Sequence, residues 1–145
     1  MDLGLSIAAR CRASFRLERR KHVLGRFVLR DRREIGFWSP GATRRPEGDY
    51  RIDVTLSQKS ILGAFRQSIV AFRLQGEPVS FFLFEQLNSR LTESCMLFNT
   101  HEGDHWKLRI SSGNGSLTIR IQGGGEVTIP AEADPCRLVE QAARH

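Results

Sequence analysis

Trp106-Lys107-Leu108-Arg109-Ile110-Ser111-Ser112-Gly113-Asn114-Gly115-Ser116-Leu117-Thr118-Ile119-Arg120-Ile121 is the stretch on which the fold turns. Trp106, Leu108 and Ile110 alternate with Lys107 and Arg109, and Leu117, Ile119 and Ile121 alternate with Thr118 and Arg120. Successive side chains of a strand point to opposite faces, so each run reads as a half-buried strand. Asn114-Gly115 between them supplies the two residues that adopt positive φ most readily, which a tight hairpin turn requires. The stretch therefore predicts an antiparallel hairpin.

Toward the C-terminus, Gly123-Gly124-Gly125 leads to a short strand through Val127 and Ile129. Asp134 can then cap a helix, Pro135 suits its first position, and Leu138, Val139 and Ala142 form an apolar stripe. Toward the N-terminus, Tyr50, Ile52, Val54 and Leu56 alternate with Arg51, Asp53, Thr55 and Ser57, a strand whose polar face meets solvent. Ile61, Leu62, Phe65, Ile69 and Phe72 recur at three and four residues and predict a helix over about 58–74, capped by Ser57 or Ser60, although Ile69-Val70-Ala71-Phe72 also suits a strand. Val79 to Glu85 reads as a strand buried on both faces. Ser94 to Asn99 reads as its return strand in a hairpin turning at Asn88-Ser89, while Leu87, Leu91, Cys95 and Phe98 also have the spacing of one helical face.

Between Arg12 and Trp38 the apolar positions fit two strands and a short third near Ile35 to Trp38. Residues 39–49, with two prolines and two glycines, predict a long loop, mobile or functional. These elements amount to an α+β fold, mainly antiparallel, with about eight strands, one internal helix and a short C-terminal helix. The chain reads as one domain over 1–145 with a mobile N-terminus at 1–11. The alternative is a closed β-barrel capped by the C-terminal helix, which resembles pleckstrin-homology-like domains in element order only.

The 145 residues carry a formal charge of +6, with 13 glycines and 5 prolines, as expected of a soluble globular domain and not of a collagenous or disordered chain. No apolar run is long enough for a membrane-spanning helix. The basicity is local: residues 1–51 hold 13 Lys+Arg against 6 Asp+Glu, and twelve of the thirteen are arginines. Arginine favours planar, bidentate recognition of phosphate or carboxylate. Cys11, Cys95 and Cys136 are odd in number and widely separated, which predicts neither a zinc knuckle nor a redox motif and makes a reducing, cytoplasmic setting the default. A transit peptide over the first seventeen residues is the weaker alternative.

Chemistry-bearing patterns are sparse. His101-Glu102-Gly103-Asp104-His105 places two imidazoles and two carboxylates within five residues, so His101 and His105 are the weak candidates for a metal or acid/base site, but Gly103 points to a loop entering a strand. No nucleophile elbow is written, and the glycine cluster from Gly113 to Gly125 precedes strands where a phosphate loop needs a helix. No catalytic residue and no cofactor is expected.

Arg16 and Arg20, followed by Asp53-Val54-Thr55, distantly resemble the PilZ pattern, which implies cyclic-dinucleotide binding on a barrel. Thr55 stands there for serine and Gln58 for glycine. The expected function is a non-enzymatic binding or regulatory protein of the accessory or inhibitor type, acting through protein–protein contact at Trp38, Arg44 and Arg45. The alternative is nucleic-acid binding by Arg12, Arg16, Arg19, Arg20, Lys21, Arg30, Arg32 and Arg33. Open sheet edges also leave room for a homo-oligomer.

Overall fold

The structure, a computed structural model, describes residues 3–19, 23–74, 76–113 and 115–144. Five strands form one sheet: β1 (Ser14–Arg19), β2 (Leu24–Val28), β3 (Glu34–Trp38), β6 (Ser68–Phe72) and β7 (Ser80–Leu83), in that spatial order. A second sheet has the order β11-β10-β9-β5-β4, built from β4 (Thr43–Arg44), β5 (Tyr50–Thr55), β9 (Gly103–Gly113), β10 (Ser116–Ile121) and β11 (Gly125–Pro130). Its sixth strand, β8 (Leu97–Asn99), pairs with the start of β9. Helices α1 (Leu3–Arg10) and α4 (Pro135–Ala143) lie on the first sheet, and α2 (Leu56–Gly63) and α3 (Glu85–Asn88) connect strands. The α+β class holds, with antiparallel pairing everywhere except between β3 and β6, and neither sheet closes into a barrel.

The layering follows from which strands are apolar on one face and which on two. Val70 and Phe72 of β6 pack toward the second sheet with Trp38, Ile52, Val54, Leu108, Ile119 and Ile129. Ile69 and Ala71 pack the other way, with Ile7, Phe37 and Leu138, under α1 and α4. The molecule is thus helices, five-stranded sheet, six-stranded sheet, and only the last keeps an open outer face. Among the described residues no helix is long and apolar enough to cross a membrane.

This layering explains where the sequence reading departs from the fold. The helix expected over 58–74 is half helix and half strand: α2 stops at Gly63, and β6 runs through the stretch that also suited a strand. All five residues of β6 are buried, and a strand buried on both faces has no period to distinguish it from a helix. The cap of α2 is Thr55, not Ser57 or Ser60. Its hydroxyl accepts from the Gln58 amide at 3.1 Å and the Gln58 carbonyl oxygen accepts from the Thr55 amide at 2.9 Å, a reciprocal capping box. Thr55 and Gln58, which the PilZ resemblance places in a ligand turn, are engaged in this cap.

The hairpin expected to turn at Asn88-Ser89 does not form. Phe84, Leu87, Leu91 and Cys95 all face the inter-sheet core through α3 and a 3-10 turn at Glu93–Cys95, so the helical spacing noted for three of them was the governing signal. Phe98 leaves that face and is 72% exposed. The indole Nε1 of Trp106 donates to the Thr92 carbonyl at 2.8 Å and pins the segment.

The β9–β10 hairpin forms in the expected register, Gly113 opposite Ser116; Asn114 lies outside the described residues, and Gly115 has φ +72. Asp134 caps α4 through the Cys136 amide at 3.0 Å, with Pro135 at the first position, as the sequence predicts. Leu3–Arg10, within the stretch read as a mobile terminus, is a helix with Ile7 and Ala8 buried. Its end is tied to α4 by a Cys11–Cys136 disulfide across 125 residues, a pairing that sequence spacing does not reveal; Cys95 is free and buried.

One glycine sets how closely the first layer packs. A Cβ on Gly25 would sit 2.5 Å from Phe15 Cζ and 2.6 Å from the Arg16 carbonyl oxygen, and the latter is backbone that cannot step aside. Gly25→Ala is therefore expected to lower stability by about 1–3 kcal/mol, the usual cost of overpacking, in urea unfolding. An unchanged midpoint would show that the Phe15 ring and β1 relax freely.

Candidate functional site

Trp38 is buried, whereas Arg44 is exposed. It lies opposite Leu24 in the register of β2 and β3, is 1% exposed, and belongs to the inter-sheet core, so its side chain offers no contact surface next to the exposed Arg44. Being both apolar and strand-terminal, it satisfies the core. Arg44 is exposed on β4, opposite Tyr50. Arg45 donates to both Asp49 oxygens at 3.0 and 3.1 Å and lies 3.3 Å from Glu47, holding residues 45–49 in a tight turn. Much of the long loop is thus the β4–β5 hairpin.

The arginines of the N-terminal third do not form one field. Ser14 pairs with Val28, so Arg12 and the β2–β3 turn with Arg30, Arg32 and Arg33 share one end of the first sheet. Arg19 pairs with Leu24 at the other end, about 13 Å away along the strand, with Arg16 between them. Arg20 and Lys21 lie outside the described residues, as do His22 and His145. Arg33 pairs with Asp31 at 2.6 Å, and Arg26 is held by Glu34 at 2.8 Å and by Glu18. Asp31 and Glu34, visible in the sequence as interruptions, neutralise their neighbours directly.

The two candidate histidines separate. His101 is exposed in the β8–β9 turn, where its amide and that of Glu102 donate to Asn99 Oδ1 at 2.9 and 2.5 Å. His105 is 1% exposed; its Nδ1 donates to the Gly103 carbonyl at 2.9 Å, and its Nε2 faces Glu102 Oε2 at 3.5 Å. Among the described residues no set of three or more His, Cys, Asp or Glu is placed to hold a metal ion.

What the fold does assemble is the outer face of the six-stranded sheet. Register places Thr43, Arg51, Arg109, Arg120 and Glu126 side by side across β4, β5, β9, β10 and β11. Asp53 and Lys107 form the adjoining row, followed by Thr55 and His105. Over this face run three concavities. One of about 330 Å³ holds Arg51, Asp53, Gln58 and Glu102 beside the 39–43 loop. A second of about 220 Å³ holds Arg45, Arg51, Lys107 and Arg109, and a third of about 130 Å³ holds Asp49, Arg109, Arg120 and Glu126. Arg51 joins the first to the second and Arg109 the second to the third. Around the sheet end, Thr55, Gln58 and Glu102 join the first to a 430 Å³ cleft that reaches Arg19, Leu56 and His101. Five strands at about 4.8 Å spacing make this a path of about 19 Å across the sheet.

The acidic end is tuned by its neighbours. Partial burial pushes the Asp53 carboxyl up, but the hydrogen bonds it accepts from Arg51 and the adjacent Arg51 charge outweigh it and leave Asp53 below the usual carboxylate range. Arg51 donates to both Asp53 oxygens at 3.3 and 3.0 Å. An Asp whose value is depressed by folding contributes stability that is complete above its unfolded value near 3.9 and is lost as pH falls through the lower folded value. Unfolding followed against pH should therefore show wild type above Asp53→Asn at neutral pH, the two converging below about pH 4. A gap that does not narrow in acid would place the loss elsewhere.

These residues escaped sequence reading as a group because Arg51 comes from β5, far ahead in sequence of the β9–β10 hairpin that carries Lys107, Arg109 and Arg120. The signal that could have found them was the alternation itself, which already assigns each to a polar face. Chemically the face offers hydrogen-bond donors and charges of both signs over an extended, shallow surface. His105, the buried imidazole beside it among the described residues, is sealed from solvent. No family model, no curated protein and no solved structure matches this chain, so the site is defined by its own geometry.

Proposed function

We propose that this protein is a non-catalytic binding module that engages a protein partner through the outer face of its six-stranded sheet. The observation that carries this reading is the order of charge along the joined concavities: acidic at Asp53 and Glu102, basic at Lys107 and Arg109, mixed at Arg120 and Glu126. A polypeptide segment carrying both signs matches such a surface, whereas a continuous polyanion meets carboxylates at either end. Arginine-rich surfaces also supply interface hot spots. Catalysis by His105 is disfavoured because its imidazole, beside Glu102, is too buried to touch a substrate.

The test compares wild type with Arg51→Glu/Arg109→Glu, both with native circular dichroism, as bait in host extract, alongside oligonucleotide titrations over a salt series. The expected result is a protein retained by wild type, lost by the variant and insensitive to nuclease. Oligonucleotide binding that falls steeply and linearly on a log–log salt plot would overturn it and restore the nucleic-acid alternative.

The Cys11–Cys136 bond bears on the setting. Disulfides persist in oxidising compartments, which favours such surroundings over the cytoplasmic one expected from cysteine spacing. Alkylation trapping in intact host cells should find both thiols blocked before reduction and Cys95 unpaired; free Cys11 and Cys136 would return the protein to a reducing compartment.

A further inference from the structure

We propose that the concavity between Arg45, Arg51, Lys107 and Arg109 is a binding site for a phosphate group. Its volume is about 220 Å³, and its lining pairs these four cations with Leu108 and Gln122 and contains no carboxylate. Cross-strand register sets Arg109 directly between Arg51 and Arg120, and like charges directly opposite repel unless something anionic lies over them. Arg51 is answered by Asp53, Arg120 by Glu126 and Arg45 by Asp49 and Glu47.

Among the described residues Arg109 and Lys107 form no ion pair: Asp53, opposite Lys107, is held by Arg51, and Glu126 and Asp49, beside Arg109, are held by Arg120 and Arg45, so two cations on this wall are left for an anionic ligand. A phosphate monoester or inorganic phosphate, close to dianionic at neutral pH, balances both. The chemistry also fits in shape: a guanidinium offers a planar fork of donors to two oxygens, the ammonium a point charge to a third, and Gln122 an amide donor. A carboxylate would balance only one of the two charges. The site does not require the protein partner proposed above, since free phosphate satisfies it; a partner bearing a phosphorylated side chain would use the same contacts.

The experiment is a titration of the full chain with inorganic phosphate, read by amide chemical shifts of residues 107–110 and 122, with acetate as the carboxylate probe. Saturable shifts at these residues, and at Arg45 and Arg51 across the concavity, are expected, with acetate at least tenfold weaker. Lys107→Gln/Arg109→Gln should weaken phosphate at least tenfold, and Arg120→Gln, outside the lining, should leave it within twofold. Because all three side chains face solvent on formed strands, native circular dichroism is the check that the variants fold, and Arg109→Lys, which keeps charge but loses the fork, should give an intermediate loss. A phosphoserine peptide that binds tighter than phosphate assigns the group to a partner chain; equal or weaker binding assigns it to the free ion. Absence of saturable shifts, an unchanged titration in the double variant, or acetate binding as tightly as phosphate overturns the site. Failure of the partner capture with intact phosphate binding removes only the partner reading.

Discussion

Replacing Cys11 or Cys136 by serine, or reducing the bond in the wild-type chain, is expected to lower the unfolding free energy by about 3–5 kcal/mol and the melting temperature by about 10 °C. The pair closes a loop across 125 residues, and the entropy withheld from the unfolded chain grows with the logarithm of that length. The native side of the balance is also local. Helix α1 is eight residues long, too short to persist by propensity, and it is held by Ile7 and Ala8 on the sheet and by its tie to α4. Thermal unfolding with and without reductant reads the effect directly, since the remaining cysteine, Cys95, forms no bond. An unchanged melting temperature would mean that α1 and α4 dock without the tie. The outer face of the other sheet, a layer away, should keep its phosphate titration in either redox state.

Trp38→Ala should destabilise by about 3–5 kcal/mol, the range for truncating a buried aromatic residue. Trp38 is 1% exposed between the sheets, so the change opens a cavity against Leu24 and Val70, its register neighbours. A contact residue at a surface hot spot would instead lose binding with little loss of stability, which makes urea unfolding the deciding measurement. The two tryptophans should also differ when shortened to phenylalanine. Among the described residues Nε1 of Trp38 has no hydrogen-bond partner, whereas Nε1 of Trp106 donates to the Thr92 carbonyl at 2.8 Å. Trp106→Phe should therefore cost about 1 kcal/mol more than Trp38→Phe, because it leaves a carbonyl without its donor. Equal costs would show that the Thr92 contact contributes nothing.

Most strands were legible because one face of each meets solvent. The β9–β10 hairpin, β5 and β11 all belong to the outer sheet, where alternation survives, and α4 announced itself through Asp134 and Pro135. Where both faces are covered the alternation is lost, although β7, which follows Pro78, was still legible as an unbroken apolar run. β6 read as the second half of a helix, and the 84–95 segment read as a hairpin although its apolar spacing was helical. The candidate site was hidden for a different reason. His101 and His105, close in sequence, diverge because one lies in a turn and the other in a strand under Glu102, while Arg51 meets Lys107 and Arg109 only through pairing of β5 with β9.

Alternation, turn chemistry and capping are properties of a few consecutive residues, and by themselves they determined that this chain is α+β, antiparallel in the main, and closed by a capped helix. Tertiary structure decided which strands share a sheet, that Cys11 meets Cys136, that Trp38 is core, and that Arg51 joins the row of Arg109 and Arg120. Those outcomes depend on contacts between residues tens of positions apart, which burial of two apolar faces against each other selects and no local pattern encodes.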